Sequence, residues 1–203
     1  MGVTMTRKRR TALSESDQWI LHIAGVIAAV RRNATDELSV TAAPFPTPGT
    51  MLSTAPYALD EWTTAGNGRY THVTAKTLTG IGVAAIGNSV RKQRAVAGAT
   101  PQWRETITGQ AWVTDKAVWW QNRHGHFQWP WASYTSMALL APGVLEIHGT
   151  STKGPITSRY RTRLAELILV IWAAHQHPQH PQATNLGWAP LHLREAVAAI
   201  TDV

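Results

Sequence analysis

The chain has 203 residues, of which 44% are hydrophobic, and a formal net charge of +7. This composition allows one large domain with a proper core and excludes a wholly disordered chain. The absence of cysteine excludes a disulfide framework and a cysteine-ligated zinc site. The basic balance is compatible with anionic partners, although it also serves solubility alone.

Residues 1–12 are predicted to form a basic, mobile arm. Its four consecutive cations are of the kind that bind phosphate backbones: Arg7, Lys8, Arg9 and Arg10. Arginine is used far more than lysine and alanine is abundant, which is typical of a high-GC bacterium or its mobile elements. The arm is therefore one candidate nucleic-acid contact.

An amphipathic helix and a strand are predicted in residues 13–42. Ser14 suits the N-cap, and isoleucines follow at helical spacing. The apolar run over residues 19–30 is shorter than the roughly 20 residues that span a bilayer. Arg31 and Arg32 follow it where a signal peptide would carry its cleavage site. We therefore expect a cytoplasmic protein.

The rest of the chain is expected to be one domain between a linker and a tail. Residues 43–50, "APFPTPGT", form a Pro-rich linker. Residues 51–178 form the domain: one or two short strands, a turn at residues 66–68, a helical segment before residue 98, further strands, and a helix near residues 160–175. Residues 179–203 form a tail with a short helix.

Half of the ten tryptophans fall in the segment "GQAWVTDKAVWWQNRHGHFQWPWASY". Its alternating β-rich runs and polar turns predict a meander of three strands. The turn in "VTDK" predicts two cross-strand pairs, Val113 with Val118 and Trp112 with Trp119. The turn in "NRHG" predicts two more, Trp120 with Phe127 and Val118 with Trp129.

This meander is apolar on both faces. The face predicted to fill the core carries Val113, Val118, Trp120, Phe127 and Trp129. The Trp112–Trp119 pair on the other face needs a cover, because large exposed apolar patches are unusual on monomers. We expect the cover to be the N-terminal helix through Trp19, Ile23 or Ile27, the C-terminal helix, or a partner. Core packing is favoured over a ligand-stacking platform, since aromatic cross-strand pairs stabilise sheets by themselves.

The segments "GQAWVTDKAVWW" and "GVLEIHG" resemble bacterial pleckstrin-homology-like, or GRAM-like, domains. The stretch "NSVRKQRAVAGATPQWRE" resembles segments that precede this hairpin in uncharacterised actinobacterial proteins. The resemblance covers about residues 80–178. It implies an α+β fold, a partly open antiparallel β-barrel capped by the C-terminal helix, here accompanied by an N-terminal amphipathic helix. Such domains mostly bind proteins, peptides or lipid headgroups and rarely catalyse.

The C-terminal capping helix is predicted over residues 161–175. Its apolar side chains recur at the spacing of one helical face, so we expect them to pack against the sheet. These side chains are Leu164, Leu167, Ile168 and Ile171.

Signals for catalysis and metal binding are weak. Residues 82–89, "GVAAIGNS", resemble a phosphate-binding loop but carry Asn88 in place of its lysine. The acidic residues show no pattern of paired carboxylates suited to a hydrolase. Three histidines are potential metal ligands, but prolines among them favour a solvated linker: His175, His177 and His180. We expect no enzymatic activity, no cofactor and no metal.

The sequence favours a non-catalytic binding module for a protein partner. The candidate contact residues are Trp112, Trp119, Arg91, Lys92, Arg94 and Arg123. The alternative is a basic nucleic-acid-binding accessory or regulatory protein of a mobile element. It would use the arm, the cluster of Arg91, Lys92 and Arg94 with Arg104 beyond it, and the alternating arginines of residues 159–163. No helix-turn-helix can be placed to support that alternative.

Overall fold

The computed structural model describes residues 13–38, 40–63, 91–97, 99–151 and 154–201. Three predicted features lie outside the described residues: the basic arm, the turn at residues 66–68 and the glycine-rich segment at residues 82–89. The structural statements below concern the described part of the chain.

Seven antiparallel strands form one curled sheet with the shape of a half-barrel. They are β1 (Met51–Thr63), β2 (Gln102–Thr114), β3 (Ala117–Asn122), β4 (Gly125–Pro130), β5 (Tyr134–Ala141), β6 (Val144–Ser151) and β7 (Gly154–Thr162). Their order across the sheet is β4-β3-β2-β1-β7-β6-β5. Two meanders therefore meet where β1 pairs with β7, and β4 and β5 are the sheet edges.

Three helices complete an α+β fold: α1 (Glu15–Arg31), α2 (Ala165–Gln176) and α3 (Arg194–Thr201). Residues 91–97, in the connection from β1 to β2, are also helical, as predicted. Residues 35–37 form a short 3-10 turn, and the strand expected before residue 42 is absent from the described residues of that segment.

Strand β1 is a single strand of 13 residues, where the sequence predicted one or two short ones. Its register against β2 shifts between Met51 and Ser53 and again between Leu59 and Asp60. Such irregularities bend a strand and increase its twist. The bent β1 can therefore pair with β2 on one side and with β7 on the other.

The predicted tryptophan-rich hairpins are confirmed. Val113 lies opposite Val118, and Trp112 lies opposite Trp119. Trp120 lies opposite Phe127, and Val118 lies opposite Trp129. The first turn is closed by the buried Thr114 hydroxyl, which accepts the N–H groups of Lys116 and Ala117 at 3.2 and 3.0 Å.

Helix α2 lies at the centre of the core. The four predicted core side chains, Leu164, Leu167, Ile168 and Ile171, are all buried. Leu169 and Val170 on the opposite side are buried too, because α1 packs on α2 from the side away from the sheet. The helix begins at Ala165 and not near Tyr160, which lies in β7 as a buried member of the core.

Helix α1 is closed at its start by a reciprocal capping box between Ser14 and Asp17, with bonds of 3.1 and 3.3 Å. Its buried face joins α2 and packs on α3. The segment predicted as a tail contributes buried side chains to the same core, among them Trp188, Leu193 and Val197. Both ends of the described chain therefore stabilise one core.

Two expectations about the meander are wrong. Phe127 is 46% exposed, because it lies on β4 at the sheet edge, where only one neighbouring strand covers it. The Trp112–Trp119 pair is not covered by α1, whose buried face packs on the other helices. The cover comes instead from the Pro-rich segment, through Ala43 and Phe45 together with Met51 of β1.

Candidate partner-binding surfaces

The predicted contact residues Trp112 and Trp119 lie under Phe45. They are 7% and 8% exposed, respectively. The Phe45 ring is stacked on His126 with centroids 4.3 Å apart, and it lies 5.4 Å from Trp119 and 6.3 Å from Trp112. We name the site formed by Trp112, Trp119 and His126 the Phe45 pocket. A single inserted side chain makes these contacts with all three rings.

The Pro-rich segment lies on the sheet with alternating burial. Ala43, Phe45 and Thr47 are half-buried, whereas the three prolines between and after them are exposed. At its end, Thr50 donates its N–H to Asp115 Oδ1 at 2.7 Å, and the Asp115 N–H donates to the Thr50 carbonyl at 3.1 Å. The segment therefore lies on the sheet with bends at residues 44–45 and 48–49, and it is fixed at the β2–β3 turn.

Gly49 makes this seating sterically feasible. Its φ is +86°, and a Cβ at this position would lie 2.1 Å from Asp115 Oδ1. An L side chain would therefore be strained and would also clash with the carboxylate that holds Thr50. The sequence carried this signal as "PTPGT", which was interpreted only as a linker.

A second aromatic surface lies at the far end of β1 and β2. Trp62 and Trp103 are cross-strand neighbours with ring centroids 5.6 Å apart. The Arg159 guanidinium lies over the Trp103 ring, 3.9 Å from its centroid. Trp62 is 57% exposed, whereas Trp103 is half-buried. We name Trp62, Trp103 and Arg159 the tryptophan–arginine surface.

Carboxylates pair with the arginines of this face. Arg159 donates to Glu146 at 2.8 Å, and this bond lowers the pKa of the Glu146 carboxyl below its ordinary value. Arg161 donates twice to Asp60, at 3.1 and 2.9 Å, and once to Glu105. The arginines of β7 are therefore largely neutralised by their neighbours.

The structure does not bring the six predicted contact residues into one site. Arg91, Lys92 and Arg94 are exposed in the helical segment before β2. The first residue of β2, Gln102, pairs with Thr63, which follows Trp62 in β1. The Trp112–Trp119 pair lies ten residues further along β2, roughly 33 Å away at the rise of a β-strand. Arg123 is exposed in the β3–β4 turn, where it donates to His124 at 3.0 Å.

The tryptophan–arginine surface escaped the sequence analysis for a physical reason. Trp62 and Trp103 are separated by a long connection, and only the pairing of β1 with β2 makes them neighbours. No local spacing of residues encodes such a pair. The alternating arginines of residues 159–163 were noticed, but their carboxylate partners come from other strands.

A cleft of about 550 Å³ lies between α1, the β5–β6 turn and the start of α2. Glu166 at its base is 2% exposed, and burial raises the pKa of its carboxyl. Glu15 and Arg163 at its rim pair with each other at 3.0 Å. The Glu166 carboxylate accepts the Gly143 N–H at 2.8 Å, so its visible role is to hold the β5–β6 turn.

The histidines near the end of α2 have structural contacts. His175 contacts the Asp115 carbonyl at 3.0 Å through Nε2, and the rings of His177 and His180 pack against Trp172. The described residues contain no group of three or more His, Asp or Glu side chains that could hold a metal ion. Among the helices of the described ranges, none is long and apolar enough to cross a membrane.

Comparison with known proteins gives no family for this chain. No protein-family model matches it, and no curated protein is similar to it in sequence.

Proposed function

We propose that this chain is a non-catalytic binding module with a pleckstrin-homology-like fold and that its ligand is a protein. Two structural features support the proposed fold. Two antiparallel meanders are joined through the pairing of β1 with β7, and α2 is seated on the curled sheet. A partly open barrel with a capping helix is the arrangement that the sequence resemblance implies.

The exposure of Trp62 is the observation that best supports the proposed function. A tryptophan on the surface leaves a large apolar area in water, and such residues are enriched at the centres of protein interfaces. Arginine is another residue type common at such centres, and Arg159 lies over the ring of Trp103, which also contacts Trp62. We assign the partner contact to the tryptophan–arginine surface.

The charges beside Trp62 favour a protein over a nucleic acid. A phosphate backbone needs cations that are free to replace its counterions. Arg159 and Arg161 already pair with Glu146, Asp60 and Glu105, and these carboxylates would repel phosphate. A protein surface of mixed polarity has no such conflict.

A capture experiment with matched variants tests the proposal. The full chain, Trp62→Ala and Leu191→Ala would be immobilised and exposed to an extract of the native host. Leu191 is 80% exposed and serves as a control for loss of a large apolar side chain. We expect one protein to be retained by the full chain and by Leu191→Ala but lost from Trp62→Ala. Equal retention by both variants would contradict the assignment.

A nucleic-acid ligand is the second candidate, favoured by one observation. Arg91, Lys92 and Arg94 are exposed in the segment that leads into β2 at the same end of the sheet as Trp62. Fluorescence anisotropy with labelled single- and double-stranded 20-mers, measured across salt concentrations, separates the two candidates. Binding that weakens steeply with salt and is lost when all three residues are replaced by alanine would establish the second candidate.

A further inference from the structure

We propose that the Phe45 pocket is a second binding site, for a peptide of a partner that carries an aromatic residue between prolines. In this inference the chain's own Pro44-Phe45-Pro46 is an internal ligand that occupies the site until a partner peptide replaces it. The site is separate from the tryptophan–arginine surface, so the inference does not depend on the function assigned to that surface.

The Pro-rich segment lies on the sheet in the manner of a bound peptide. Its side chains alternate between the sheet and the solvent, and each exposed position from 44 to 48 is a proline. Proline fixes φ near −65° and lacks an N–H, so the three prolines restrict the backbone of the segment and donate no hydrogen bonds to a strand. A backbone that is already restricted loses less conformational entropy when it binds.

The Phe45 pocket is shaped for one aromatic side chain. Trp112, Trp119 and His126 all contact the single Phe45 ring. The indole N–H of Trp119 is buried without a hydrogen-bond partner while Phe45 occupies the site. A buried donor without an acceptor is unfavourable. A peptide that brings an acceptor to this N–H would therefore bind better than the internal segment does.

The internal ligand is part of the same chain as its site. It is the connection between α1 and β1, so it is present at a high effective concentration and competes with any free peptide. Thr50 and Asp115 fix its end next to Gly49, which leaves residues 43–48 as the part that could leave the pocket. Removal of the Phe45 ring should therefore open the site without cutting the chain.

The test uses the full chain and a synthetic peptide with the sequence of residues 42–50, blocked at both ends. Isothermal titration would compare the full chain, Phe45→Ala, and Phe45→Ala with Trp119→Leu. We expect Phe45→Ala to bind at least tenfold more tightly than the full chain, and the double variant to lose that gain. The same peptide with alanine in place of its phenylalanine should not bind.

Two further measurements keep the test decisive. Circular dichroism shows whether Phe45→Ala remains folded. If it does not, the peptide would be titrated into the full chain while the Trp119 indole N–H resonance is followed, and a saturable shift is expected. Equal weak binding by all three proteins would overturn the proposal. An indole N–H resonance of Trp119 that does not shift at the highest peptide concentration would also overturn it. A dimer of the full chain that is lost in Phe45→Ala would also overturn it, because a second copy would then be the occupant.

Discussion

Gly143 donates its N–H to the Glu166 carboxylate at 2.8 Å, and this bond ties the β5–β6 turn to the first turn of α2. The carboxylate is buried, so the free energy of ionising it is higher in the folded chain than in the unfolded one. Burial accordingly raises the pKa of Glu166, although the bond from Gly143 opposes this effect. The ionised Glu166 carboxylate therefore holds the turn but lowers the free energy of unfolding at neutral pH.

Replacing this carboxyl by an amide should change how stability depends on pH. In the native chain, the folded state holds the Glu166 proton more tightly than the unfolded state. The contribution of Glu166 to the free energy of unfolding is therefore greatest below the ordinary pKa of 4.5. It falls as pH rises through the pKa of Glu166 in the folded state. Glu166→Gln keeps an acceptor for Gly143 without the charge. We expect it to be more stable than the native chain at pH 7 and to lose that advantage near pH 4.

Urea unfolding of both proteins between pH 4 and pH 7 checks this expectation. Glu166→Ala is the matched control, because it removes the acceptor as well as the charge and should destabilise the protein at every pH. A gain in Glu166→Gln that is the same at pH 4 and pH 7 would mean that ionisation of this carboxyl is not responsible.

Truncation of α2 should destabilise the fold strongly. Leu167 is fully buried between the sheet and the other helices. We expect Leu167→Ala to lower the free energy of unfolding by about 2–5 kcal/mol, through lost transfer free energy and the cavity left behind. Leu191→Ala, at an exposed position, should change it by less than about 0.5 kcal/mol. Chemical denaturation measures both, and a loss below half a kcal/mol in Leu167→Ala would mean that α2 is not in the core.

The features that the sequence predicted well are encoded locally. The hairpin pairs of β2, β3 and β4 follow from alternation and short turns, which fix the register within a few residues. The apolar face of α2 follows from the helical repeat. Residues close together in the sequence therefore determine both the hairpin register and the apolar face of the helix.

The features that the sequence missed depend on distant segments. Phe45 covers the Trp112–Trp119 pair although almost seventy residues lie between them, and an irregular segment with no period to detect makes the contact. Phe127 was assigned to the core because its face of the strand is apolar, but alternation does not show that β4 is a sheet edge. The exposed Trp62 likewise acquires Trp103 and Arg159 only when three strands assemble.

The β2–β3 turn should depend on one hydroxyl. Thr114 Oγ1 accepts the Lys116 and Ala117 N–H groups and donates to the Ala117 carbonyl at 3.1 Å. Thr114→Val keeps the shape but leaves these groups without their partner, two of them at the buried Ala117, so we expect a loss of about 1–3 kcal/mol. Thr114→Ser retains the hydroxyl and should lose less. Equal losses in thermal or urea unfolding would show that the lost methyl or its packing matters more than the bonds.

The environment of Trp112 and Trp119 should respond to Phe45 and not to α1. Phe45→Ala removes a half-buried ring, so we expect a loss of about 1 kcal/mol together with red-shifted tryptophan emission. Ile23→Ala, in the buried face of α1, should destabilise the chain by more but leave the emission of the folded state unchanged. A red shift in folded Ile23→Ala with none in Phe45→Ala would reverse the assignment of the cover.

The contact assigned to Trp62 can be tested directly by site-specific photocrosslinking. A benzophenone amino acid, which keeps a large aromatic side chain at the position, would replace Trp62 in one protein and Leu191 in another, and both would be irradiated in an extract of the native host. We expect a discrete adduct with one protein from position 62, resistant to nuclease, and none from position 191. An adduct that nuclease removes, or the same adducts from both positions, would contradict a protein-binding tryptophan–arginine surface.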